Sequence, residues 1–335
     1  MSVGLPRRSR GRPSAASDER FQKDLKAFCE IILQINSTLD FKVSSRGWAY
    51  IFENRGVITK DDLDACQALI NDCRKSGALP LGICATDEAR AFDNIEDVDD
   101  ISPEDRAQSI VDYVHCAHSD YRPHSFWNDQ EYFVQMVVEK IDLKSLFART
   151  CAEFCVPIAN AGGWADINLR ADMMRRFSRW EREHKQCVLL YCGDHDPAGL
   201  NISKCLRSNM EDLAGAVGWH PRDLIIDRFG LNDEFIEAQG LTWIDNLISG
   251  SGICLSSPKH NDHAKEYVQS YLKRFGCRKV EANALVVAPE AGRELCRRAI
   301  LQYISEDALE EFEASLESAR NDVREEVARL LAEGV

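Results

Sequence analysis

Two aspartates separated by one residue, Asp194 and Asp196, follow the apolar run Cys187–Cys192, with Gly193 before them and Pro197 and Gly199 after them. In extended backbone, residues i and i+2 face the same way, so both carboxylates can be presented to one ion at the end of a strand. Adjacent anions repel, and leaving them without a counter-charge at a sheet end is costly; their hard oxygen atoms point to Mg²⁺ rather than zinc. An Asp-x-Asp pair alone is often just a solvated turn. Its place after an apolar strand, with Pro-x-Gly at the mouth of a helix, makes it far more specific. A third carboxylate, Glu139, ends the run VQMVVEK. In a parallel sheet that end lies on the same rim as Asp194; the alternative is a surface glutamate paired with Lys140. His195, between the aspartates, faces the other side of the strand end, so a structural role is expected rather than general-base work.

A parallel sheet is what these groups require, and the spacing from Tyr132 onward predicts one. Strands are expected at Tyr132–Glu139, Val156–Ala161, Cys187–Cys192 and Leu224–Asp227. Helices are expected at Leu143–Phe154, Asn168–Glu183 and Leu200–Leu213, with a turn at Gly162–Gly163. Such alternation argues for an α/β fold with helices on both faces and ligands at the carboxyl ends of the strands. Before it, Phe21–Ile35, Ser45–Glu53 and Lys60–Arg74 read as short helices, the last with a capping box at Thr59 and Asp62. With an extended stretch at Leu79–Cys84 they fit a winged helix-turn-helix, and equally any small helical bundle. The expected order is a flexible basic arm over 1–18, a helical domain over 19–92, an acidic connector over 93–130, the α/β unit over 131–300, and a solvated amphipathic C-terminal helix over 301–335.

Taken together, Glu139, the glycine turn at Gly162–Gly163 and Asp194-x-Asp196-Pro-x-Gly199 resemble the TOPRIM domain, a Rossmann-like unit that binds Mg²⁺ and acts on the phosphodiester backbone of nucleic acid. More narrowly they are similar to the A subunit of type IIB topoisomerases (topoisomerase VI) and to the related transesterase of meiotic double-strand breaks. The stretch Lys279–Leu285, KVEANAL, is similar to one near the end of those proteins, and RKSGALPLGICA adds to the likeness. The resemblance implies an N-terminal winged-helix domain carrying a catalytic tyrosine with an arginine four positions earlier. FKVSSRGWAYIFE supplies Tyr50 and Arg46 at that spacing, on one face of a helix where both can reach one phosphate. It departs from the family at Ala49, where an aromatic is usual, and Tyr50 also reads as a core aromatic beside Trp48 and Phe52.

The resemblance further implies a stand-alone relative of bacterial, plasmid or phage type: a Mg²⁺-dependent DNA transesterase in which Tyr50 attacks phosphorus, with Arg46 beside it and Glu139, Asp194 and Asp196 as metal ligands. It implies a homodimer on double-stranded DNA, each site pairing the tyrosine of one subunit with the acidic site of the other. No Gly-rich ATP motif is present, so strand passage would need a separate ATPase subunit. Two other functions remain open: a TOPRIM endonuclease in which water attacks, and a non-catalytic DNA-binding protein of a mobile element.

Composition bounds these readings. Among 335 residues, 44% are apolar and 29% charged, as in a soluble globular protein. The longest apolar runs are strand-sized, no signal peptide is evident, and a cytoplasmic protein without membrane partners is expected. Thirteen cysteines, odd in number and scattered, read as reduced thiols; Cys151 and Cys155 lack the further ligands a zinc site needs. The net charge of −14 opposes phosphate binding, although acid is concentrated at Asp93–Asp105 and Glu306–Glu333.

Overall fold

The computed structural model describes residues 4–8, 14–85, 100–161, 167–248 and 252–333. Its centre is a four-stranded parallel sheet of β1 (Tyr132–Val138), β2 (Ile158–Asn160), β3 (Gln186–Cys192) and β4 (Ile225–Gly230), in the order β2-β1-β3-β4. Central strands β1 and β3 are almost continuously apolar, as strands covered on both faces must be. One face is covered by α5 (Ile141–Glu153) and α12 (Pro289–Ile300), the other by α6 (Ile167–Arg182) and α8 (Ile202–Glu211). Strands β1 and β3 pair from Tyr132–Gln186 to Val138–Cys192. Both therefore end at one level, which brings Glu139 beside Gly193 and Asp194.

The mixed α/β architecture with a parallel sheet is as expected, and most element ends fall within two or three residues of expectation. The helix expected over Leu200–Leu213 is present as α8, two residues shorter at each end. A one-turn helix α7 (Pro197–Leu200) gives way at Asn201 to α8, and α9 (Ala214–Val217) comes after it. The turn expected at Gly162–Gly163 lies outside the described residues.

In the N-terminal part, α1 (Ala15–Asn36), α2 (Ser45–Asn54) and α3 (Leu63–Lys75) occupy the three expected positions. The arm expected to run to residue 18 ends earlier, because Ser14 and Ser17 form a capping box that starts α1. Within the arm, Arg7 pairs with Asp62 and Arg8 lies over the Phe21 ring, 4.7 Å from its centroid. The stretch expected to be extended contains a 3₁₀ turn at Leu81–Ile83, started by Pro80 and held by Arg74, which donates to the Leu81 carbonyl. One parallel bridge, Val43 to Cys84, is the pairing this region shows among the described residues.

The expected acidic connector contains a helix. Over 93–99 it lies outside the described residues, but Pro103–Cys116 forms α4, whose start is written in the sequence: Ser102 caps it and Pro103 occupies its first turn. Helices α10 (Asp233–Gln239) and α11 (Glu266–Phe275) complete the C-terminal half with α13 (Ala308–Ala332). The last is not solvated throughout, since Ala308, Phe312 and Leu316 are buried. Buried side chains from α1 to α13 form one contiguous core. Among the described residues no helix is long and apolar enough to cross a membrane.

Candidate active site

Glu139 and Asp194 meet at the sheet rim. The Glu139 amide donates to the Cys192 carbonyl at 3.0 Å, continuing the β1–β3 ladder one step beyond the strands. Glu139 Oε2 accepts from the Asp194 amide at 2.8 Å and from the Tyr191 hydroxyl at 3.1 Å, and Asp194 Oδ1 accepts from the Ala282 amide at 2.7 Å. Each carboxylate thus has one oxygen fixed by backbone. The other two, Glu139 Oε1 and Asp194 Oδ2, converge on the Lys140 ammonium, at 3.1 and 3.0 Å.

The charges at this rim are under tension. Burial, then the neighbouring Glu139, pushes the Asp194 carboxyl up to about 7, against the pull of Lys140 and the Ala282 amide. Burial also raises Glu139, but Lys140 and the Asp194 amide outweigh it and hold this carboxyl below the usual range. Asp196 is turned toward α7, where its Oδ1 caps the helix by accepting the Gly199 amide at 2.6 Å. Burial raises its carboxyl too, and its charge adds to the pressure on Asp194.

A half-buried arginine clamps the same loop. Arg228, on β4, donates to the carbonyls of Gly199 at 2.9 Å, Leu231 at 2.7 Å and Asp194 at 3.3 Å. His195 faces away from the carboxylates, with Nδ1 3.1 Å from the Tyr271 hydroxyl and its ring among Trp243, Tyr271 and Phe275. Burial lowers its pKa to about 4, so at neutral pH it is an uncharged packing group.

Tyr50 and Arg46 form a second cluster. Tyr50 is fully buried, and its hydroxyl donates to Glu281 Oε2 at 3.0 Å. Arg46 Nε donates to the same oxygen at 3.0 Å while its guanidinium lies 5.5 Å from the Tyr50 ring centroid and pairs with Asp64. Lys279 Nζ reaches Glu281 Oε1 at 3.3 Å. Burial and then Glu281 push the Tyr50 phenol up, out of reach of ionisation at neutral pH. Burial works to raise Glu281 as well, but Arg46 and Lys279 hold it below the usual carboxylate range. Beside this cluster opens a cleft of about 510 Å³, lined by Arg46, Lys60, Asp64, Ile244, Lys279 and Glu281 among others.

Residues 280–283 join the two clusters. Val280 pairs with the backbone of His195, Glu281 holds Tyr50 and Arg46, and the Ala282 amide binds Asp194. The Asn283 amide donates to Asp142, a fully buried carboxylate that also accepts from the backbone and hydroxyl of Ser44, the cap of α2. One segment therefore fixes the start of the tyrosine helix and one rim aspartate together. The KVEANAL likeness marks this segment in the sequence but gives no role to Glu281, Asn283 or Asp142. The signal available was a charged residue on each side of an otherwise apolar stretch that turns out to be buried.

The donor chemistry fits a hard cation, because two carboxylates, each anchored to a backbone amide through one oxygen, already share one positive charge through the other. As arranged, that charge is the Lys140 ammonium. Among the described residues no three His, Cys, Asp or Glu side chains stand together as a ligand set, and one oxygen of Asp196, Oδ1, is engaged in the α7 cap. No family model matches this sequence, and no curated protein matches it.

Proposed function

We propose that this protein is a Mg²⁺-dependent DNA-cleaving transesterase of the type IIB topoisomerase A-subunit kind, with a winged-helix part carrying Tyr50 and a TOPRIM part carrying Glu139 and Asp194. The observation that carries the reading is the segment Val280–Asn283, which ties the Tyr50–Arg46 pair and the rim carboxylates to adjacent residues of one chain. Phosphoryl transfer needs a nucleophile, a positive group for the phosphate and a cation near the departing oxygen, held in fixed relation. Double-stranded DNA is the substrate class, and any strand passage is left to a separate ATPase subunit.

Glu139 and Asp194 would hold the cation through Oε1 and Oδ2, in place of the Lys140 ammonium. The bound ion would supply charge stabilisation at the phosphoryl and leaving oxygens. Asp196 supplies negative charge nearby, and its turn at α7 fixes the loop. Arg46 binds a phosphate oxygen once it leaves Glu281. The Tyr50 phenol is locked by Glu281 in the free protein, so attack requires that hydrogen bond to break and the proton to pass to an acceptor.

The burial of Tyr50 favours one other reading: the rim acts as a metal-dependent nuclease in which water attacks and Tyr50 is a packing residue. Supercoiled plasmid, Mg²⁺ and protein, denatured after incubation, separate the two. The transesterase leaves protein covalently joined to DNA ends, and Tyr50→Phe abolishes those ends. Cleavage by Tyr50→Phe with free ends establishes the water mechanism instead.

A further inference from the structure

Three pairs of cysteines bring sulfur near sulfur: Cys29 with Cys73, Cys151 with Cys296, and Cys254 with Cys277. The first two pairs are sealed in the core, none of the four exposed by more than 6%. Burial raises the Cys29 thiol and pushes Cys73 up to about 12, while the hydrogen bond to Cys151 and burial raise Cys296. A thiol that is neither ionised nor reachable does not exchange.

The third pair differs in each respect. Cys254 and Cys277 are partly exposed, their Sγ atoms lie 3.2 Å apart, and the Ser256 hydroxyl lies 3.1 Å from one and 3.3 Å from the other. Burial works to raise Cys254, but hydrogen bonds from the Ser256 hydroxyl and backbone and from Cys277 outweigh it and bring the thiol down to about 7. A disulfide needs sulfurs at about 2.05 Å, so closure asks for roughly 1 Å of side-chain movement.

The pair also sits at a mechanical junction. Cys254 pairs with Ile248, and Ile244 pairs with Lys279, two residues beyond Cys277. Ile244, Asp245, Asn246 and Ile248 line the cleft beside Arg46 and Glu281, and so does Lys279.

We propose that Cys254 and Cys277 are a reversible dithiol–disulfide site that exchanges with low-molecular-weight disulfides of the glutathione type, and that the closed form adds a covalent tie between the cleft-lining segment 244–248, paired to Cys254 through Ile248, and the segment bearing Lys279. The Cys254 thiolate attacks one sulfur of the small disulfide, forming a mixed disulfide and expelling one thiolate. Cys277 then loses its proton to solvent, and its thiolate attacks Cys254 Sγ and expels the second small thiolate. The two protein thiols are oxidised by two electrons, and the small disulfide is reduced to two thiols that take up the two protons.

The test exposes the reduced full chain to oxidised glutathione at pH 8, quenches it with acid, alkylates the remaining thiols and maps peptides by mass. The expected product joins the Cys254 and Cys277 peptides with loss of two hydrogens, reverts with dithiothreitol, and slows amide exchange at 244–248. Cys277→Ser should stop at one glutathione on Cys254. Overturning results are full alkylation of both cysteines with no joined peptide, joining through Cys29–Cys73 or Cys151–Cys296 instead, or unchanged exchange at 244–248 in the joined form.

Discussion

Replacing Asp194 by asparagine separates the charge of the rim carboxylate from its shape. The amide keeps an oxygen for the Ala282 N–H, which donates at 2.7 Å, and fills the same volume. In the fold this carboxyl holds its proton up to about 7, whereas in the unfolded chain it releases it near 3.8. Between those values the folded state binds more protons, so stability falls as pH rises from about 4 to about 7 and is flat above. At about 1.4 kcal/mol for each factor of ten in proton affinity, carrying the charge at pH 8 costs the fold up to about 4 kcal/mol. Glu139 shares Lys140 and is held low by it, so this figure is a ceiling. Urea unfolding with chelator present, at pH 4 and pH 8, gives the measurement. D194N should match the wild type at pH 4 and exceed it at pH 8, while losing DNA cleavage. Adding Mg²⁺ at about a hundred times its dissociation constant should restore about 2.7 kcal/mol to the wild type and nothing to D194N. A D194N protein no more stable than the wild type at pH 8 refutes the idea that this carboxylate is held charged at the expense of the fold.

Gly199→Ala should be far more disruptive than its size suggests, because a Cβ there would overlap the Asp194 carbonyl oxygen, which is backbone and cannot step aside. A loss of about 3 kcal/mol in denaturant unfolding, together with lost cleavage, is expected. Tyr50→Phe removes one buried hydrogen bond to Glu281 and should cost about 1 kcal/mol by the same measurement, so loss of protein-linked DNA ends in that variant reports chemistry rather than unfolding. In α13, Leu316→Ala should cost about 2 to 5 kcal/mol, whereas removal of residues 319–335, none of them buried among those described, should leave thermal unfolding within about 2 °C of the wild type.

The continuous apolar runs at Tyr132–Val138 and Gln186–Cys192 were legible because a strand buried on both faces has little room for polar side chains. With them came the alternating α/β order, the pairing of Glu139 with the Asp194 loop, and the three N-terminal helices. Helix α4 was legible in Ser102-Pro103-Glu104-Asp105 but was masked by the acidic composition around it. Other features depended on atoms far apart in the chain. Sequence spacing placed Asp194 and Asp196 on one side of the strand end, but that the free N–H groups at α7 would engage Asp196 Oδ1 as a cap depended on the turn the fold makes there. Lys140, next to Glu139 in sequence, reaches Asp194 only because β1 and β3 end in register. Glu281 finds Tyr50 and Arg46 across more than two hundred residues, a contact no local pattern encodes. Sequence alone determined which residues are charged, which segments are buried and which carboxylate ends which strand. Only tertiary structure decided which charges meet, because a buried charge takes the nearest partner that packing allows, and that partner is set by the whole fold.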